Sequence, residues 1–355
     1  MLFRIPSADD YRDLGDMERL ATIKSILAKS GMEVVVSSSD DPVELQTVID
    51  EVKPELAYSG SARFPCNGPF VHAVFEERNL ACVGSSADTL DLCLCKADLK
   101  AQWLRDGIRT PAWSIARLKA QGGFELSQPL PEFPVLLKPL AGGNSIGISS
   151  DSVVIDQASL DESLTKYLKK HGDCIVERYL GHFRDRREFT VALIGDPLYG
   201  LLMPIEIKLN GHREFPLVSN DDKDGHRTII ATLPNDRLRK RIIDFASEAF
   251  ISSAVRDYSR IDIILAGNEL HAIEINGQPM IPDRWFRECA ASQGLEDHYI
   301  SAIFLAALLR TAASRDSDVE FPDALFSGIP EAACRRLAAT AAGSSVRAEA
   351  GYATR

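Results

Sequence analysis

With 45% hydrophobic and 26% charged residues among 355, the chain has the composition of an ordinary globular protein long enough for two or three cores. Its net charge of −11 argues against a general binder of nucleic acid or anionic membrane, because affinity for a phosphate backbone comes from clustered Lys and Arg. Seven cysteines, odd in number and without paired metal-finger spacing, read as free thiols. No export segment and no membrane-length apolar run is seen, so the expected location is cytoplasmic.

Residues 1 to 86 alternate short apolar runs with helical patterns. Strands are expected at Met1 to Ile5, Glu33 to Val36 and Leu56 to Ser59, and helices from about Asp16 to Ser30 and from Pro42 to Val52. That order predicts a small α/β unit with parallel strands whose C-terminal ends face a ligand, ending at Gly84, Ser85 and Ser86. A helix carrying Lys96 follows and ends near Gly107. The segment 87–180 also holds the apolar run from Phe133 to Lys138, a Gly-rich loop from Gly142 to Gly147, a helix near Asp161 to His171 and the strand Cys174 to Glu177. The segment 181–313 holds a strand from Glu188, a hairpin rich in carboxylates and a closing helix from about His298 to Leu309. The tail, 314–355, shifts toward Ala, Ser, Asp and Arg and reads as a partly helical extension or a disordered end.

The hairpin carries the most chemistry. Arg260 and Asp262 alternate with apolar residues, and after the turn at Gly267 and Asn268 so do Glu274 and Asn276. Period-two alternation puts each pair on one strand face, and a hairpin would make those faces coincide. Two carboxylates and an amide oxygen are a hard-oxygen set that suits Mg²⁺ bound together with substrate phosphates, and Arg260 would meet negative charge developing there. Lys138 ends a buried strand beside the glycines at 142, 143 and 147, where an ammonium and backbone N–H groups can approach one anion. Glu177 and Glu188 stand at strand ends, where a purine edge and ribose hydroxyls could be met. Each piece alone also fits a solvated strand end or an ordinary turn.

Lys96, the run 134–139 with Lys138, the loop 143–147, the run 176–180, Glu188, Arg260 with Asp262, and Glu274 with Asn276, in this order and spacing, resemble the ATP-grasp superfamily and its D-alanine–D-alanine ligase branch. The resemblance covers about residues 82 to 310. It implies mixed α/β and α+β architecture, an N-terminal parallel-sheet domain followed by two α+β subdomains that clamp ATP. It further implies that Lys96 and Lys138 hold phosphates, with Ser145 in a closing loop. Glu177 and Leu180 form the adenine hinge, Glu188 takes the ribose, and Ile264 and Ile273 cover the adenine. By the same resemblance Asp262, Glu274 and Asn276 bind two Mg²⁺ ions, with Mn²⁺ as an alternative. Arg260 stabilises the transferred phosphoryl group, and Lys223 is near the γ-phosphate.

The substrate side departs from the family. The first strand is not followed by Gly-Gly-x-Ser-x-Glu, the His-Gly segment is replaced by Tyr58 to Arg63, and the run after Asn276 reads Gly277 to Arg284. Candidate substrate contacts are therefore Arg63, Asp283 and Arg284. The expected activity is ATP-dependent amide formation between an amino-acid carboxylate and an amine through an acyl phosphate, in specialised metabolism. The alternatives are a D-alanine–D-alanine ligase proper, an intramolecular cyclising ligase and a non-catalytic ATP-binding module. Partners are amino-acid-like small molecules, with a homodimer expected by resemblance.

Overall fold

The computed structural model describes residues 1–4, 14–65, 68–140, 147–210, 214–217, 228–315 and 323–339. In the first sheet β1 (Leu2–Arg4) lies between β2 (Val35–Ser37) and β3 (Ala57–Ser59), all parallel, as the alternation of elements predicts. Parallel strands are covered on both faces, and these sort their side chains accordingly. Leu2 and Ala57 pack with α2 (Pro42–Val52) and α3 (Val71–Glu77), whereas Phe3 and Tyr58 pack with α1 (Leu14–Lys29). Helix α2 starts where its sequence says it should: the Asp41 carboxylate accepts from the N–H groups of Val43 and Glu44, and Pro42 opens the first turn.

The second sheet is antiparallel, in the order β5-β4-β8-β6-β7. It is built from β4 (Trp113–Leu118), β5 (Phe124–Leu126), β6 (Val135–Pro139), β7 (Val153–Val154) and β8 (Cys174–Arg178). Between β5 and β8 in the chain come α6 (Gln157–His171) and its N-cap Asp156, which starts the helix four residues before the expected Asp161. Leu160, Leu164 and Leu168 of α6 pack on Val135, Leu137 and Val176.

The third sheet runs β11-β10-β9-β12-β13, antiparallel throughout. Its strands are β9 (Arg187–Gly195), β10 (Leu201–Leu209), β11 (Thr228–Thr232), β12 (Asp257–Ala266) and β13 (Glu269–Asn276). The single helix expected around Lys96 is two, α4 (Ala87–Leu94) and α5 (Lys96–Arg105), because Cys95 takes an extended conformation, φ −92° and ψ 97°, between them. Their apolar side chains Cys93, Leu99 and Trp103 join α7 (Arg237–Ser252) on the third sheet, against Val191, Leu193 and Ile263. Residues 87–105, read from sequence with the central segment, thus bury themselves in the core of the third sheet. The opposite face, with Ala192, Ile194 and Met203, is covered by α8 (Arg284–Ala291) and α9 (Tyr299–Arg315).

Helix α9 runs past the expected end at Leu309, and the described part of the tail is packed. A short helix α10 (Asp323–Phe326) and a helix over 331–339 place Leu325, Ile329, Ala333 and Leu337 in the same core as α9. Among the described residues no helix is long and apolar enough to cross a membrane, and the six described cysteines are free.

Candidate functional site

The hairpin forms. Arg260 pairs with Asn276 and Asp262 with Glu274, so the four polar residues meet in two facing cross-strand pairs. The ladder then shifts between Asp262 and Ile263, with Ile263 opposite Ala272, which leaves Ile273 as the extra residue of a β-bulge. Strict alternation would send Ile273 to the face opposite Glu274. The bulge instead lets both line one cleft, together with Asp262 and Ile264.

That cleft has an empty volume of about 740 Å³, open in part to solvent. Lys138 and Glu177 enter it from the second sheet, with Leu180 just past β8 and Glu188 at the start of β9. Eight residues singled out in the sequence therefore converge here, with Asp262, Ile264, Ile273 and Glu274 as the hairpin's share. A second cavity of about 510 Å³ adjoins it through the shared Glu274 and is lined by Lys96, Asn276 and Gln278, with Ala62 and Leu90 as part of its apolar wall. Gly277 lets the strand exit pass close to that wall, since a Cβ there would lie 3.1 Å from Cys93 Sγ and 3.2 Å from Leu90 Cδ2.

Charge in the cleft is organised around Glu177, which is 3% exposed. Its Oε1 accepts from Lys138 Nζ at 2.7 Å and its Oε2 is 2.7 Å from Lys100 Nζ. Burial alone would raise the carboxyl, but Lys100 and Lys138 together hold it down at about 2. Burial lowers Lys100 to about 8 against the pull of Glu177. Lys100 also donates to Thr110 Oγ1 at 2.6 Å, and that hydroxyl donates to the carbonyl of Ala272 at 2.8 Å. Sequence reasoning missed Lys100; the signal was its i, i+4 spacing from Lys96 on one helix face.

The break at Cys95 makes Lys96 the first residue of α5 instead of an interior one, with its N–H directed at the carbonyl of Leu140, 3.4 Å away. Its side chain is so carried beside the end of β6. Burial keeps this ammonium below the ordinary lysine value against the attraction of Glu274. Arg260 is held from two sides: Nη1 donates to Asp283 Oδ2 at 3.1 Å, and Nε lies 3.7 Å from Asp262 Oδ1. Burial disfavours its charge, yet Asp262 and Asp283 outweigh that and raise its pKa. Its guanidinium carbon sits 5.7 Å from the ring centroid of Trp285, a second residue the sequence reading did not name. Glu188 accepts from Arg186, likewise unforeseen.

The three substrate candidates are placed differently, and none lines either cavity. Arg63 stacks over Phe70 at 3.7 Å and is tied to Asp91 and the carbonyl of Gly68. Asp283 caps α8, its Oδ2 accepting from Phe286 N–H at 2.9 Å as well as from Arg260. Arg284 is exposed. Ser145, Lys223 and the glycines at 142 and 143 lie outside the described residues.

The donor set suits a hard cation. Among the described residues no three His, Cys, Asp or Glu side chains converge as in a closed metal site. Asp262, Glu274 and the Asn276 amide offer two carboxylates and one neutral oxygen, donors of the kind Mg²⁺ takes together with substrate oxygens and water.

The chain is similar to known proteins. The family model described as D-ala D-ala ligase C-terminus matches residues 115–302. The D-alanine–D-alanine ligase B of Xanthomonas campestris pv. campestris is 27% identical over 214 residues, 59% of this chain and 63% of that protein, so the chain spans under two thirds of its length. The D-alanine–D-alanine ligase of Bordetella petrii is 23% identical over 320 residues, 88% of each. The crystal structure of the D-alanine–D-alanine ligase from Bacillus anthracis complexed with ATP superposes with a TM-score of 0.66 at 17% identity, covering 89% of this chain and 98% of that one. At that identity the likeness concerns the fold.

Proposed function

This chain belongs to the D-ala D-ala ligase C-terminus family, whose model covers more than half of it, and from that premise we propose that it is an ATP-dependent carboxylate–amine ligase. The observation that carries the reading is the hairpin register. It sets Arg260, Asp262, Glu274 and Asn276 face to face on one rim, and the cleft beside them takes Lys138 from the opposite sheet.

In the proposed reaction a substrate carboxylate oxygen attacks the γ-phosphorus of ATP and ADP leaves, giving an acyl phosphate. An amine then attacks the acyl carbon, loses a proton and displaces phosphate, and an amide bond remains. Ile264 and Ile273 give the adenine an apolar slot, Leu180 lies beside it at the hinge, and Glu188 meets the ribose. Lys96 and Lys138 hold the phosphates, with Ser145 and Lys223 assigned there by resemblance alone. Arg260, fixed by Asp283 and Asp262, opposes charge on the phosphoryl group in flight. Asp262, Glu274 and Asn276 would hold Mg²⁺, which neutralises phosphate charge when bound.

The relatives' names make D-alanine the first substrate to try. The departures after β1 and after Asn276 support a different substrate pair and a place in specialised metabolism. Arg63, already engaged by Asp91 and Phe70, is a weaker substrate contact than its position in the sequence suggests, and Asp283 serves Arg260 rather than a substrate amine. The division into 1–86, 87–180, 181–313 and a tail belongs to this proposal, with 87–105 packed on the third sheet. So do a cytoplasmic location and a homodimer through the first unit.

The test is ADP and phosphate release with Mg²⁺ and ATP against D- and L-amino acids, singly and in pairs, with mass spectrometry of the products. Lys138→Ala and Glu274→Gln are each expected to lower the rate by about 100-fold or more, the scale of losing one preorganised charge at a reacting centre. Undiminished rates in both variants would remove the assignment.

A further inference from the structure

Glu177 meets two ammonium groups that differ in what else they can reach. Lys138 Nζ, 2.7 Å from Oε1, belongs to a side chain that lines the cleft with Asp262 and Glu274. Lys100, 2.7 Å from Oε2, is 1% exposed, lines neither cavity and is pinned by Thr110 Oγ1 at 2.6 Å. Thr110 is in turn bonded to the carbonyl of Ala272, beside the bulge of β13. One lysine faces the ligand space and the other is locked behind it.

We propose that Lys100 is the standing counter-ion of Glu177, which releases Lys138 from that carboxylate to bind the phosphate oxygens of a nucleotide. The proposal rests on the ATP reading above. A buried carboxylate with a single partner holds that partner, because separating them leaves a charge uncompensated in a low dielectric. With Lys100 fixed on Oε2, departure of Lys138 uncovers Oε1 alone and the ion pair persists. Lys100 acts through Glu177 and touches no substrate, so it is a positioning residue. The arrangement also explains two lysines on one buried carboxylate, which packing alone would not require.

The experiment is calorimetric titration of ATP with Mg²⁺ into the wild-type chain, Lys100→Met, Glu177→Gln and the double variant, with thermal melts of each. Lys100→Met is expected to weaken ATP binding about tenfold or more, since Lys138 is then retained by Glu177. The double variant, with no carboxylate left to retain Lys138, is expected to bind within about threefold of Glu177→Gln alone, a coupling that a purely structural lysine would not show. Wild-type affinity in Lys100→Met, or a double variant as weak as Lys100→Met, overturns the proposal. Should Lys100→Met not fold, the comparison of the double variant with Glu177→Gln decides: equal affinity supports the proposal and a tenfold loss overturns it. Absence of ATP binding by the wild-type chain would instead overturn the nucleotide reading, and this proposal with it.

Discussion

Asp283 has two tasks that substitution can separate. Its Oδ2 caps α8 through Phe286 N–H and also accepts from Arg260. Asn caps a helix about as well as Asp but carries no charge, so Asp283→Asn is expected to lower kcat with little change in melting temperature, whereas Asp283→Ala should also cost about 1 kcal/mol of stability. Steady-state kinetics and a thermal melt of the pair check this, and an Asp283→Asn variant with normal kcat would show that the Asp283 charge is not what readies Arg260. At this scale the sequence was most legible where residue type and strand period agree. Alternation and the turn put Arg260, Asp262, Glu274 and Asn276 on coinciding faces, as the hairpin does, and Lys138 was placed at a buried strand end. Lys100 and Arg186 were not seen, because their partners are 77 residues away in Glu177 and two away in Glu188, and neither spacing singles out an ion pair. Arg63 drew a functional reading that its contacts with Asp91 and Phe70 do not favour.

Among elements, the first sheet and its second helix were readable and the interruptions were not. The three short parallel strands and α2 stand close to their expected positions, since apolar runs, an Asp N-cap and a proline in the first turn all agree. The break at Cys95 and the bulge at Ile273 carry no composition signal, yet they aim Lys96 and Ile273. Strands β4 and β5 and helix α3 were passed over, their mixed polarity diluting the period that marks a buried face, and α7 was passed over although Ile242, Ala246, Ala249 and Phe250 recur on one side at helical spacing. The tail shows the same effect in reverse. Its Ala, Ser and Arg content hides a stripe at 325, 329, 333 and 337, all in the α9 core, with Leu337 fully buried. Leu337→Ala is accordingly expected to cost about 2 to 5 kcal/mol in denaturant unfolding, as for other large-to-small core changes. A loss under about 0.5 kcal/mol, the scale of surface substitutions, would show that the tail helix does not pack there.

Over the whole molecule, the cores are joined by buried polar contacts as well as by packing. Asp257, 2% exposed, takes Arg310 through both oxygens at 2.7 and 2.8 Å and accepts from Gly84 N–H at 2.8 Å, so β12, α9 and the end of the first unit meet at one carboxylate. Nearby, His72 is fully buried and its Nε2 pairs with the carbonyl of Val83 at 3.1 Å. Burial lowers this imidazole from 6.5 to about 4, partly opposed by that bond to Val83. The native state therefore keeps His72 neutral where the unfolded chain binds a proton. Its contribution is complete above pH 6.5 and is lost as pH falls from there to about 4. At about 1.4 kcal/mol per pH unit the loss approaches roughly 3 kcal/mol, and His72→Gln, which keeps a donor for Val83, is expected to flatten that slope in urea titrations. An unchanged slope would assign the pH dependence to other groups. The central claim concerns how these parts act together, and a substrate amino acid labelled with ¹⁸O in its carboxylate addresses it directly. Transfer of one ¹⁸O atom into the released phosphate during turnover is the predicted result, because the acyl phosphate forms through that oxygen. Amide formation with unlabelled phosphate would contradict the account.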